Sequence, residues 1–184
     1  DPLATGLLII CTGKFTKKLN TLQGLTKEYT GTITIGATTP SFDLEQEIDQ
    51  KFDISTIDEN QILETAKSFL GTSLQTPPIH SAKKINGEKA YIKARKGDDV
   101  VMKKQEVVID LFEITRINLP EIDFRITCSK GTYIRSIAND FGQRLKNGAF
   151  LSALRRTKIG EFNVDDAYTI SSFLNELQED SAES

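Results

Sequence analysis

The stretch Glu121-Ile122-Asp123-Phe124-Arg125-Ile126-Thr127-Cys128-Ser129-Lys130-Gly131-Thr132-Tyr133-Ile134-Arg135 decides how this chain folds. Its first eight residues alternate, placing Ile122, Phe124, Ile126 and Cys128 on one side of an extended chain, the pattern of a strand with one face on a core. Ser129-Lys130-Gly131 interrupts the alternation as a turn. From Thr132 to Lys146 the period becomes helical, with Ile134, Ile137, Ala138, Phe141 and Leu145 as the stripe to be buried. Arg135 falls about 100° from Ile134 on the helical wheel, beside the stripe, where it can reach from the first turn toward a pocket.

Upstream, Val107 to Ile117 predicts a second strand, with a bulge at Leu111-Phe112 where the alternation slips, and the two strands make an antiparallel hairpin. Thr26 to Ala37 predicts another, carrying Tyr29, Gly31, Ile33 and Ile35 on one face, after a short helix between Gly13 and Gln23. Thr39-Pro40-Ser41 ends that strand, and the acidic stretch 41–55 reads as loop. Asp58 caps a helix in which Ile62, Leu63, Ala66, Phe69 and Leu70 share a face, closed by Gly71. Thr76-Pro77-Pro78 opens a basic excursion from the core, with a turn signal at Asn86-Gly87 and a helix-like stretch over 89–96. Downstream come short strands over 150–159 and 161–164 around Gly160, then an amphipathic helix over 170–177 and a frayed tail. Strands and helices alternate irregularly, without repeats or a βαβ rhythm, which predicts an α+β fold.

A length of 184 residues and 20.5 kDa fits one domain of ordinary size, and 38% hydrophobic content with ten Phe supplies a core. The longest apolar run, Leu7 to Cys11, is about a quarter of the roughly 20 residues that span a bilayer, and no secretory signal is legible, so no membrane association is expected. Cys11 and Cys128 lie far apart, which predicts a reduced, cytoplasmic setting rather than a disulfide framework. One histidine, His80, and two separated cysteines leave no zinc-binding set, and phosphate-loop, dinucleotide and serine-hydrolase motifs are absent. Chemistry is left to carboxylates, Arg, Lys and Tyr.

The net charge of −3 conceals strong segregation. Residues 41–64 hold eight acids and one Lys, and 161–184 hold seven acids and no base, whereas 83–104 hold eight bases and three acids and 125–158 eight bases and one acid. Such basic runs either coat a solvated face or bind a polyanion; the presence of Tyr91, Tyr133 and Phe150 within them favours RNA. At Ser129 to Arg135, backbone N–H groups and Lys130 can meet an anion at the helix start, and Arg135 can grip a carboxylate through two charge-assisted bonds. The plainer alternative is that Gly131 only makes the turn and Arg135 pairs on the surface. His80 reads first as a loop or packing residue, and Tyr29 and Leu154 as core.

Asp1-Pro2-Leu3-Ala4-Thr5-Gly6-Leu7-Leu8 with Cys11, Lys27-Glu28-Tyr29, Cys128 through Arg135, and Leu154-Arg155-Arg156, in this order, resemble the TruB family of tRNA pseudouridine synthases over roughly residues 1–165. Pro78, Ser81-Ala82, Gly87 and Tyr91 through Gly97 are similar to that family's RNA-gripping insertion. The resemblance implies a mixed, mostly antiparallel sheet flanked by helices, a catalytic domain over 1–167 with an insertion near 76–104, and a C-terminal helix and acidic tail over 168–184. It also implies a family segment before Asp1 and no further C-terminal RNA-binding domain in the stretch shown. The implied activity is isomerisation of uridine 55 in the T-arm of tRNA, by a monomer and without cofactor or metal. Asp1 matches the catalytic aspartate, Arg135 the arginine paired with it, and Tyr29 the tyrosine that stacks on uracil and is a candidate for taking the C5 proton. Tyr133 and Leu154 match residues lining the base pocket. The rival expectations are a non-catalytic module that binds or remodels tRNA, and a scaffold whose basic faces meet an acidic protein.

Overall fold

In the computed structural model, residues 2–78, 84–85, 88–89 and 102–182 are described. The alternating stretch is strand β9 (Glu121–Cys128), and the antiparallel β8 (Gln105–Asn118) lies beside it as expected. The alternation slips twice in β8, between Ile109 and Leu111 and again between Ile114 and Arg116, so the expected bulge lies one residue early and has a second beyond it. On the other side of β9 runs β2 (Lys27–Ile35), then β10 (Ala149–Ile159). β5 (Gly71–Gln75) closes the sheet beyond β8, and β1 (Thr5–Gly6) lies parallel to β10 at the opposite edge, where β11 (Phe162–Asn163) also pairs with β10. Among the described strands of this sheet, every strand-to-strand pairing but that of β1 is antiparallel. The strand expected through Ala37 stops at Ile35, because Gly36 takes φ 88° and redirects the chain. β3 (Ala37–Thr38) then pairs with β4 (Gln50–Lys51) in a separate ribbon.

Helix α1 (Leu19–Gly24) follows a 3₁₀ turn over Gly13–Lys18. α2 (Glu59–Lys67) begins at a capping box: Asp58 accepts from Gln61 N, and Gln61 Oε1 accepts from Asp58 N. Ile62, Ala66 and Phe69 are buried as predicted, while Leu63 and Leu70 stay exposed. The expected helix after Gly131 is α3 (Ile134–Arg144), and the final helix, α4 (Ile170–Ala182), runs five residues beyond the end expected for it. Phe69 on the α2 side and Phe141 of α3 meet Phe112 and, through it, Phe124 of the sheet, with ring centroids 5.7 to 6.2 Å apart. The core thus lies on one face of β2, β9 and β8, under α2 and α3. The opposite face is polar, with Thr32 bonded to Asp123 and Asp123 to Arg116.

The excursion predicted over 76–104 leaves the sheet at the end of β5 and returns at the start of β8. Two short strands within it, β6 (Lys84–Ile85) and β7 (Glu88–Lys89), pair antiparallel on either side of the predicted Asn86-Gly87 turn. The helix expected over 89–96 lies outside the described residues save for Lys89, and so do His80 and Tyr91. Among the described residues, no helix is long and apolar enough to cross a membrane.

Candidate active site

Arg135 stands in the first turn of α3 with only 7% of its surface exposed. Its Nη1 lies 3.2 Å from Oδ2 of Asp43, itself 2% exposed, and donates to Ser41 O at 3.5 Å. The alignment toward Oδ2 falls short of a hydrogen bond, so the attraction is that of opposite charges in a poorly solvated space. A carboxylate so deeply buried is tolerable only beside a counter-charge. The surface-pair alternative for Arg135 is therefore set aside.

Asp43 was not singled out by the sequence, where it was one acid among eight. The loop around it is built to hold it. Asp43 O accepts from Thr39 Oγ1 at 2.6 Å, and its Oδ1 accepts from Glu45 N at 3.0 Å. Phe42 has φ 65°, a left-handed conformation uncommon for a bulky residue, and its carbonyl accepts from Leu151 N on β10 at 2.9 Å. Thr39, Ser41 and Asp43 are each no more than 2% exposed, although polar residues in an acidic loop carry no mark of burial in the sequence.

Tyr29 is half-buried on β2, opposite Ile126 of β9 and Arg156 of β10. Burial pushes its phenol pKa above the ordinary value and Cys128 adds to this, while the charge of Arg156 and its hydrogen bond to the hydroxyl oppose it. At neutral pH Tyr29 thus offers a protonated phenol and an aromatic face. Leu154 pairs with Gly31, two residues along the same ladder, and both Tyr29 and Leu154 pack against the core.

Arg156 also ties down the chain's N-terminal part. Its Nε donates to Leu7 O at 2.8 Å and its carbonyl accepts from Leu7 N at 2.8 Å. Gly6, at φ 98°, lies so close to the Arg156 backbone that a Cβ there would collide with it. The segment following Asp1 is thereby fastened beside Tyr29. Asp1 itself, and with it the expected Asp1–Arg135 pairing, lies outside the described residues. Near Tyr29, Lys27 has its pKa lowered by burial first, then by the positive charges of Arg156 and Lys130, with Cys128 opposing. The positive charges of Arg156 and Lys130 thus both act on Lys27 at this end of β2.

Tyr133 is the N-cap residue of α3 and Lys130 is exposed in the turn before it. The predicted residues form two groups. Tyr29, Leu154 and the cations share the β2–β10 ladder, whereas Tyr133 and Arg135 share the helix start. The Asp43 loop joins them, since Asp43 pairs with Arg135 and bridges to Leu151, three residues before Leu154. Among the described residues no cluster of three or more His, Cys, Asp or Glu is placed to hold a metal.

With this geometry in view, comparison with known sequences is decisive: a profile described as TruB family pseudouridylate synthase (N terminal domain) matches residues 1–134. The chain belongs to the TruB family. A second profile, described as tRNA pseudouridylate synthase B C-terminal domain, matches residues 135–184, so the family likeness runs past residue 165 to the last residue shown. This TruB-family chain is 58% identical over 178 residues to tRNA pseudouridine synthase B of Flavobacterium johnsoniae, covering 97% of this chain and 78% of that protein. It is 45% identical over 183 residues to the protein of that name from Bacteroides fragilis, covering 100% and 78%. Among solved structures, the chain resembles one in a Cbf5-Nop10-Gar1 complex, with a TM-score of 0.72 at 24% identity, over 98% of this chain and 46% of that one. A chain of an H/ACA RNP bound to a substrate RNA containing 2'-deoxyuridine gives 0.70 at 22% identity, over 98% and 44%. At such identities these structures show the fold, which is the mixed, mostly antiparallel pseudouridine synthase fold expected from the sequence. As a TruB member the protein is an isomerase, an RNA pseudouridine synthase.

Proposed function

We propose that the protein converts uridine 55 in the T-arm of tRNA to pseudouridine. The tRNA substrate is supported by the relatives named tRNA pseudouridine synthase B. The N1–C1′ bond breaks, the uracil turns, a C5–C1′ bond forms, and a proton leaves C5 as N1 regains one. No electrons are gained or lost overall, so the step consumes no redox partner.

The observation that carries this reading is the buried guanidinium of Arg135 at the start of α3, held by Asp43 and lying within the family motif Cys128 to Arg135. A fixed positive charge there keeps a neighbouring carboxylate ionised and aimed. In this reading that carboxylate is Asp1, which acts at the anomeric carbon, where loss of the base leaves a deficiency of electrons. Tyr29 stacks on the uracil, and its protonated phenol favours stacking over proton abstraction in the resting enzyme. Tyr133 and Leu154 wall the pocket and recover part of the few kcal/mol that extruding a base costs. Lys130, with Lys27 and Arg156, receives backbone phosphates, and the basic excursion over 76–104 grips the RNA. The catalytic unit spans residues 1–167, followed by the helix and acidic tail, and works as a cytoplasmic monomer.

In full-length protein, tritium is expected to leave C5-labelled uridine of a T-arm stem-loop, and mass spectrometry after cyanoethylation is expected to place the product at position 55. Asp1→Asn abolishes the release; turnover retained in that variant defeats the assignment.

A further inference from the structure

The last residue of β5 and the first of β8, Gln75 and Gln105, stand opposite each other in the ladder at the two points where the basic excursion leaves and rejoins the sheet. Both side chains are bonded to one short piece of backbone elsewhere. Gln75, 4% exposed, accepts from Tyr133 N at 2.8 Å through Oε1 and donates to Tyr133 O at 3.0 Å through Nε2. Gln105 Nε2 donates to Gly131 O at 2.5 Å. The residue after Gln75 joins in, because Ser136 Oγ donates to Thr76 O at 2.8 Å. Four hydrogen bonds from the two stems thus converge on residues 131–136, which include Tyr133 and Arg135.

This is more than satisfaction of a helix end. Tyr133 makes no side-chain cap. An ordinary cap by Ser, Asp or Asn would satisfy the first turn locally. Here one amide, 58 residues away in sequence, takes the N–H of the N-cap residue and shares its carbonyl with the intrahelical bond from Ile137 N. A two-point bond fixes rotation as well as distance, and a buried amide has no water to exchange with.

We propose that Gln75 and Gln105 are positioning residues: they fix Tyr133 and Arg135 relative to the stems of the excursion, so that RNA held by the excursion and the base in the pocket share one rigid frame. The inference rests on the reading of Tyr133 and Arg135 as site residues. Neither glutamine is assigned contact with substrate. Their removal therefore acts on the chemical step through the helix start, and not on the grip.

The test is Gln75→Leu in full-length protein, read by single-turnover tritium release, by the Kd for the T-arm stem-loop, and by 19F spectra of protein carrying 3-fluorotyrosine at its four tyrosines. Release is expected to slow by about 10- to 100-fold, the scale of a displacement near 1 Å, with Kd unchanged. The Tyr133 fluorine resonance is expected to shift or broaden while that of Tyr168 stays. If Gln75→Leu does not fold, Gln75→Glu and Gln105→Leu carry the same three readings. Gln75→Glu keeps the acceptor for Tyr133 N and sets a carboxylate against Tyr133 O. An unmoved Tyr133 resonance, an unchanged rate, or a Kd that rises in step with the lost rate overturns the proposal. Because both glutamines hold one turn, the double variant is expected to lose less than the product of the single losses, and full multiplicativity also overturns it. Wild-type protein that releases no tritium would end the uridine reading instead, and the Tyr133 resonance alone would then decide whether the glutamines hold the turn.

Discussion

Two segments meet at the buried ion pair, and they are built on opposite plans. From Glu121 to Arg135 the apolar side chains go inward: Ile122, Phe124 and Ile126 are each no more than 1% exposed, and the helix follows with Ile137 and Phe141 buried. From Thr39 to Ile48 the plan is inverted, with Thr39, Ser41 and Asp43 buried while Leu44 and Ile48 are 52% and 47% exposed. The first segment is held by the core, and so tolerates a charge only at its edge. The second is held by hydrogen bonds around Asp43 and by the pairing of that charge with Arg135. A site can thus take one partner from a hydrophobically ordered element and the other from a polar-ordered loop, and the two partners fail in different ways.

Arg135→Met is the severest way to break the comparison. It deprives Asp43 of its counter-charge and is expected to cost about 3–5 kcal/mol in urea unfolding, along with turnover. Adding Asp43→Leu should restore most of the stability and none of the activity; recovery of both would mean that the pair serves only the fold. Tyr29→Phe keeps the ring and removes the bond from Arg156. With such a bond worth about 1 kcal/mol, a fivefold to tenfold fall in single-turnover rate is expected, and a loss far beyond that would give the hydroxyl a part in proton transfer. Asp58→Ala, in the acidic stretch 41–64 but at a helix cap away from the ion pair, should lower stability by about 1 kcal/mol without touching turnover. Smallest is the pH effect at Asp123, whose carboxyl is held below its usual pKa, mainly by the hydrogen bond from Arg116, with Thr32 adding to it. Its contribution is present above about pH 4 and lost as pH falls through the lowered folded value. As the pair is partly exposed, comparing wild type with Asp123→Asn should reveal about 0.5 kcal/mol or less, fading below pH 4.

What could be read in advance follows the same division. β9, α3 and the Asp58 cap were legible because period and capping chemistry are local properties of neighbouring residues. Arg135 was placed beside the helical stripe correctly, yet its depth of burial was not evident, since burial depends on what a distant loop brings. Asp43 escaped because a buried carboxylate in irregular chain has no period, and the pairing that pulls it inward spans 92 positions. Gln75 and Gln105 were silent for the same reason: amides at strand ends look like any surface residue until the turn they hold comes into view. The roles assigned to Tyr29, Tyr133 and Leu154 came from the family resemblance alone, as the placement of Tyr29 and Leu154 spoke only of core and that of Tyr133 only of a basic run.

The two family profiles join between Ile134 and Arg135, inside the first turn of α3. That seam divides a lineage description and not a physical unit. A hybrid that grafts the second half of one relative onto the first half of another would have to re-mate two halves of a single interior, with the guanidinium arriving on one parental piece and the aspartate awaiting it on the other.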